Sequence, residues 1–208
     1  MPNASTNEGK EAEVAAKLAA ADVSRAPEPE YDEGKLKELV LYLAEKSEDD
    51  PSFGDTKLNK LLFFSDFLSY ALYGKPITGA AYQKLEFGPA PRRLLPARRE
   101  MEAEGSAAIV KRGRAYVRTV TVNRREPDLK LFDTRELDVV NEVLDLLRNH
   151  DASEVSEFSH QISAGWKLAE LYEDIPYDSI FLSVSKKLSP QEVERGQELA
   201  ARFNFQAA

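Results

Sequence analysis

The sequence predicts an α+β domain that is mostly α: a compact bundle of about seven helices around a central aromatic-rich helix, with one small β-hairpin. Three observations lead there. Apolar residues recur at three- and four-residue spacing in several separate segments, the signature of helices with one buried face. One segment, 57–73, is apolar on most sides, so it is buried on most sides. A single stretch, 109–122, alternates about a Gly-containing turn, which signals a hairpin.

Taken in order, residues 1–30 form a flexible or weakly helical leader. They are rich in Ala, Glu, Asn, Ser and Thr, and Pro27 and Pro29 mark the linker that ends them. The domain then runs over 31–208. Its first helix starts near Asp32, with Leu36, Leu39, Val40 and Leu43 on one face. Asp55 or Thr56 caps the second, which continues to Tyr73 and stops at Gly74. Leu58, Leu61, Leu62, Leu68 and Leu72 make its stripe, Phe63, Phe64, Phe67, Tyr70 and Tyr73 widen it, and Asp66 is an inward hydrogen-bonding residue or a solvated gap.

Residues 80–87 are ambiguous between strand and helix. Gly88–Pro89 reads as turn punctuation, Pro89 or Pro91 as the first position of the next helix, and Pro96 as a kink or a late start within it. Gly105 ends that helix, and the hairpin follows, from Ile109 and Val110 through Lys111–Arg114 to Val122. Asp133 with Glu136 opens one helix, and Asp151 or Ser153 opens another. Trp166, Leu168 and Leu171 continue a helical pattern until Ile175–Pro176–Tyr177, and Ser189–Glu192 is a capping box that begins a C-terminal helix at about 190–204.

Composition removes much chemistry. The chain has no Cys, which excludes disulfides, Cys-ligated metals and a thiol nucleophile. His150 and His160 lie ten apart without a metal-ligand spacing, and no phosphate-cradling glycine loop or nucleophile elbow occurs, so no catalytic, cofactor or metal residue is assigned. No apolar run reaches membrane-spanning length, and the early acids do not fit a signal peptide; a cytoplasmic, non-enzymatic protein is expected.

The net charge of −8 is unevenly placed: residues 84–130 hold twelve Lys and Arg against six Asp and Glu, a +6 window in a −14 remainder. Arg92, Arg93, Arg98, Arg99, Lys111, Arg112 and Arg114 are therefore the candidate partner-binding residues. A helix with four arginines followed by a basic-tipped hairpin also suggests a winged helix on DNA, and a plain solvated face explains the same residues.

Lys57, Leu58, Lys60, Leu61 and Leu62, then Leu72, Tyr73, Gly74, Lys75 and Pro76, then Phe87, Gly88 and Pro89, then Ser159, His160 and Trp166, and last Ile175, Pro176 and Tyr177, stand in an order and spacing that resembles the Panacea domain, or SocA-like antitoxin, family. The resemblance covers about residues 33–184. After the Gly-Pro step this chain has Ala90 and a second proline, where the family usually has a larger aliphatic. The resemblance implies an antitoxin of a bacterial or phage toxin-antitoxin system, encoded beside a protein toxin and neutralising it by direct binding, without catalysis or cofactor. The alternative is a DNA-binding regulator of its own operon; nucleic acid and a second copy of the chain stay open as partners. From the residues themselves, the family-motif positions, Leu58, Leu61, Phe87, Trp166 and Tyr177 among them, read as core builders, and His160, beside Ser159, as making a buried hydrogen bond, with a functional contact as the lesser alternative.

Overall fold

The computed structural model describes residues 29–113 and 117–182. Its elements are α1 (Glu33–Lys46), α2 (Asp55–Tyr73), β1 (Tyr82–Leu85), β2 (Gly88–Pro91), α3 (Leu94–Ala103), β3 (Ala107–Arg112), β4 (Arg118–Asn123), α4 (Thr134–Leu147), α5 (Ala152–Ile162), α6 (Ala164–Leu168) and β5 (Asp174–Ile175), with short 3₁₀ turns at Leu129–Leu131 and Tyr177–Phe181. The class is α+β and mostly helical, with six α-helices among the described residues rather than about seven. The leader up to residue 28 and the helix expected at 190–204 lie outside the described residues. Among those described, no helix is long and apolar enough to cross a membrane.

Local chemistry explains most boundaries. Asp32 starts α1 by accepting a 2.9 Å hydrogen bond from the Lys35 amide, and Gly74 ends α2 in the left-handed conformation at φ 69°. Both expected acidic caps later in the chain are full capping boxes, Asp133 with Glu136 on α4 and Asp151 with Glu154 on α5. The cap of α2 differs from expectation: it is Gly54, not Asp55 or Thr56. A Cβ at position 54 would sit 3.1 Å from the Arg118 Cβ, so a side chain there would need the β4 end of the hairpin to give by a few tenths of an ångström.

The α2 helix is the centre of the core. Leu58, Leu61, Leu62, Phe63 and Phe67 are buried on it, and it packs against α1, α4, α5 and β2. Phe63, Phe67, Tyr82 and Tyr177 form a contiguous aromatic cluster, with centroid separations of 4.2 Å for Phe63–Phe67 and 4.6 Å for Phe67–Tyr177.

The hairpin β3–β4 forms as expected, pairing Ala107 with Asn123 through Arg112 with Arg118. A second sheet does not follow from the sequence pattern. Residues 82–91 make another hairpin, joined antiparallel by β5 in the order β2-β1-β5. Gly88–Pro91 is thus a strand and not a helix start, and α3 begins at Leu94. Two prolines fit because β2 is an edge strand and they alternate: Pro89 and Pro91 turn their missing donors away from β1. The next amide along, that of Arg92, duly donates to the Ala81 carbonyl at 2.9 Å. Pro96 falls in the first turn of α3, where no amide partner is needed, which makes it a late start and not a kink.

The helical reading holds through Trp166 and Leu168 but is corrected at Leu171. Helix α6 ends at Leu168, and the chain leaves it to bond with β1: the Tyr172 amide donates to the Lys84 carbonyl at 2.8 Å and the Lys84 amide to the Glu173 carbonyl at 2.9 Å. Leu168, the last residue of α6, and Leu171, beyond it, are both exposed.

Candidate functional site: a turn clamped from three sides

Helix α2 carries three charged side chains inward, Lys57, Lys60 and Asp66, each buried. Spacing explains why. Lys57 and Lys60 stand one turn from Leu61 and Phe64, on faces covered by neighbouring elements, so their ammonium groups must find partners inside the fold.

Lys57 reaches across the C-terminal end of α4. Its Nζ pairs with Asp50 Oδ2 at 2.5 Å and donates to the His150 carbonyl at 2.7 Å. The turn that follows α4 and the loop holding Asp50 are thereby tied to the same ammonium group.

Lys60 acts on the turn between β1 and β2. Its Nζ donates to the Phe87 carbonyl, and Ser156 Oγ on α5 donates to the same oxygen at 2.7 Å. On the other side of the turn, Trp166 Nε1 donates to the Leu85 carbonyl at 3.1 Å. Ser159 Oγ bonds the Ser156 carbonyl at 2.7 Å, and Gly88, at φ 105°, sits against this pair: a Cβ there would fall 2.6 Å from Lys60 Cε and 2.7 Å from Ser159 Oγ. The His160 ring stacks on Trp166 at 3.8 Å, and Lys84 Nζ stands 4.6 Å from the Trp166 ring centroid while donating to the Ala169 carbonyl at 2.8 Å. Residues far apart in sequence, Lys60, Phe87, Gly88, Ser159, His160 and Trp166, thus meet at one place.

Burial sets the electrostatics. Desolvation pushes the Lys60 ammonium down to about 7, and burial followed by the neighbouring Lys60 charge lowers His160. A lysine whose folded pKa lies below its ordinary 10.5 holds fewer protons folded than unfolded between about pH 7 and 10.5, so stability rises with pH over that window and the gain is absent below it. Chemical denaturation from pH 7.5 to 9.5 is expected to show a slope approaching ~1.4 kcal/mol per pH unit that Lys60→Met removes. A slope that survives the substitution would assign it to another group.

The expected basic residues scatter. Arg92 is spent on the β-sheet: Nε pairs with Asp174 at 2.5 Å, Nη1 donates to Gln83 Oε1 at 2.8 Å and Nη2 to the Tyr172 carbonyl at 2.6 Å. Arg93 lies 5.5 Å from the Tyr31 ring centroid. Arg98 departs from the expected exposed set: only 4% exposed, it pairs with Asp55 at 2.6 Å and donates to Thr121 Oγ1 at 3.0 Å, joining α3 to α2 and the hairpin. Arg99, Lys111 and Arg112 are exposed, and Arg114 lies outside the described residues. Helix α3 therefore bears one exposed arginine beside exposed Glu100 and Glu102, not four arginines on one face.

Of the family-motif residues, Leu58, Leu61 and Tyr177 are buried in the core as expected, and Trp166 is partly buried. Phe87 reverses expectation at 63% exposed, because the clamped turn points it out of the fold; Tyr73, at the end of α2, is 41% exposed. Ile175 is buried in β5 beside Pro176. Ser156 and Lys84 were not singled out from the sequence as site residues. Two lysines three apart inside an otherwise apolar helix were the available sign that buried acceptors had to lie opposite.

The fold and the site together define a small helical α+β domain whose charged inward residues hold its own backbone. A family model described as antitoxin SocA-like, Panacea domain, matches residues 58–167, more than half of the 208-residue chain. The chain belongs to this family. A search of curated proteins and a search of solved structures each returned no match. The matched stretch opens beside Lys60 and closes beside Trp166, the two groups that grip the β1–β2 turn from opposite sides.

Proposed function

We propose that this chain is the antitoxin of a toxin-antitoxin pair and neutralises its cognate protein toxin by direct binding, with no cofactor and no chemical step. The family match over residues 58–167 is the observation that supports the reading. The inward charges fit it too, since Lys57, Lys60 and Arg98 are occupied in holding the fold.

The binding surface includes the exposed basic residues Arg99, Lys111 and Arg112, with exposed Arg93 just before α3, and Arg114, which lies outside the described residues, two positions after Arg112 in sequence. Helix α3 packs on β3, so Arg99 and the Lys111–Arg112 pair belong to adjoining elements. Arg92 and Arg98 support this surface through their bonds to Asp174 and Asp55. The acidic side chains around Arg99 and the −14 carried by the rest of the chain oppose a phosphate backbone.

The experiment is co-expression with the protein encoded by the adjacent reading frame. That protein is expected to arrest growth alone and to be tolerated with this chain. Arg99→Glu, Lys111→Glu and Arg112→Glu combined are expected to weaken the complex by about tenfold or more while the circular dichroism melt is unchanged. A harmless neighbour, or rescue undiminished by the triple reversal, counts against the function and the surface respectively. Tight, salt-sensitive binding to the chain's own promoter DNA would move the protein to the regulator class.

A further inference from the structure

A phenylalanine left in water is a cost unless something covers it, and Phe87 is 63% exposed on one of the most constrained turns in the molecule. Glu86 and Phe87 are the two residues joining β1 to β2, closed by the Leu85–Gly88 pair. Lys60 and Ser156 hold the Phe87 carbonyl, and Trp166 holds that of Leu85. Gly88 at φ 105° leaves no space for a side chain on the inner side. The backbone under the ring is thereby fixed, and a ring on a fixed backbone loses little conformational entropy when it enters a pocket.

The surroundings define what fits. Two further apolar side chains close to Trp166 in sequence are exposed, Leu168 at the end of α6 and Leu171 in the segment that leads to the bonds with β1. Glu86, which precedes Phe87, and Glu157, which follows the Ser156 that holds its carbonyl, are exposed. The lysines at this site are instead engaged, Lys60 buried on the Phe87 carbonyl and Lys84 on the Ala169 carbonyl. From this geometry we propose that Phe87 is an aromatic anchor that seats in an apolar pocket of the toxin edged by Lys or Arg, with Lys60 as its positioning residue. This rests on the antitoxin reading and adds to it a second contact of opposite charge to the basic one. Aromatic side chains fixed in place and ringed by polar groups are the usual centres of protein–protein affinity.

The test uses the full chain and the product of the adjacent reading frame, with affinity measured by calorimetry. Phe87→Ala is expected to weaken binding by about tenfold or more, with the melting temperature and solution mass of the free chain unchanged. Lys60→Met, and the gentler Ser156→Ala, are expected to weaken binding through the turn, and so to cost no further affinity once Phe87 is already alanine; a merely structural lysine would add its loss in either background. Wild-type affinity in Phe87→Ala overturns the anchor. A lower melting temperature in that variant, which assigns the ring to cover from the chain's own residues 183–208, also overturns it, as does conversion of a self-associated species to monomer, which assigns the ring to a second copy. Failure of the wild-type chain to bind is a different result: the antitoxin reading falls, and the anchor with it.

Discussion

Gly88→Ala is expected to destabilise the domain by about 3 kcal/mol or more, well beyond what the backbone conformation alone explains. Gly74→Ala separates the two causes. Both glycines have positive φ, 69° at Gly74 and 105° at Gly88, so both pay the penalty of placing a Cβ in that region, roughly 1–2 kcal/mol. At Gly74 a Cβ meets nothing within 4 Å. At Gly88 it meets Lys60 Cε at 2.6 Å, Lys60 Nζ at 2.7 Å and Ser159 Oγ at 2.7 Å. A lysine end can usually swing aside, but this one is buried and its ammonium is bound to the Phe87 carbonyl, and Ser159 is likewise held on the Ser156 carbonyl. Moving either leaves a polar group buried without a partner. Urea denaturation of the two variants checks this; equal losses at Gly74 and Gly88 would show that the clamp yields easily and does not fix the turn.

The clamp also explains why α2 is read so readily as the centre and so poorly as a site. Its apolar residues are numerous enough that burial on most sides follows from the sequence, and its aromatic cluster bears this out. Its lysines look like surface residues by type. What makes Lys57 and Lys60 internal is the position of acceptors supplied from about 30 to 90 residues away, the carbonyls of Phe87 and His150, and no local pattern encodes those meetings.

The same division runs through the fold. Helix starts were legible where a side chain satisfies the helix's own amides, as at Asp32, Asp133 and Asp151. The β1–β2–β5 sheet was not. Its strands span four, four and two residues, two of the eight positions in the hairpin are proline, and β5 pairs with a strand about ninety residues upstream. Proline at 89 and 91 looks like a helix start until the register shows both missing donors facing the open edge. The charge pattern was legible as a +6 window but not as a surface, because Lys84, Arg92, Arg98, Arg118 and Arg125 within it are engaged by Ala169, Asp174, Asp55, Phe53 and Glu38. Net charge counts ions without regard to what they face.

Asp66→Ala is the other substitution expected to be severe, by about 3 to 5 kcal/mol, and the reasoning distinguishes a buried acceptor from a buried apolar site. Asp66 is wholly buried at the middle of α2 and accepts three hydrogen bonds: the Thr78 amide at 2.7 Å, Thr78 Oγ1 at 2.5 Å and Tyr82 Oη at 2.7 Å. Burial, the largest influence, raises its pKa, while the Thr78 and Tyr82 donors pull the other way. One carboxyl therefore ties the segment after Gly74 and the first residue of β1 to the central helix. Alanine would strand three donors in the aromatic cluster and leave a cavity beside Phe67 and Tyr82. Tyr177→Phe, which removes a single 2.7 Å bond to the Ala80 carbonyl in the same cluster, is expected to cost only about 1 kcal/mol. The comparison is made by urea denaturation with both variants at the same pH. A loss at Asp66 no larger than that at Tyr177 would mean that water or a shifted Thr78 takes over the donors, and that the helix and the β1 strand are joined by apolar contact alone.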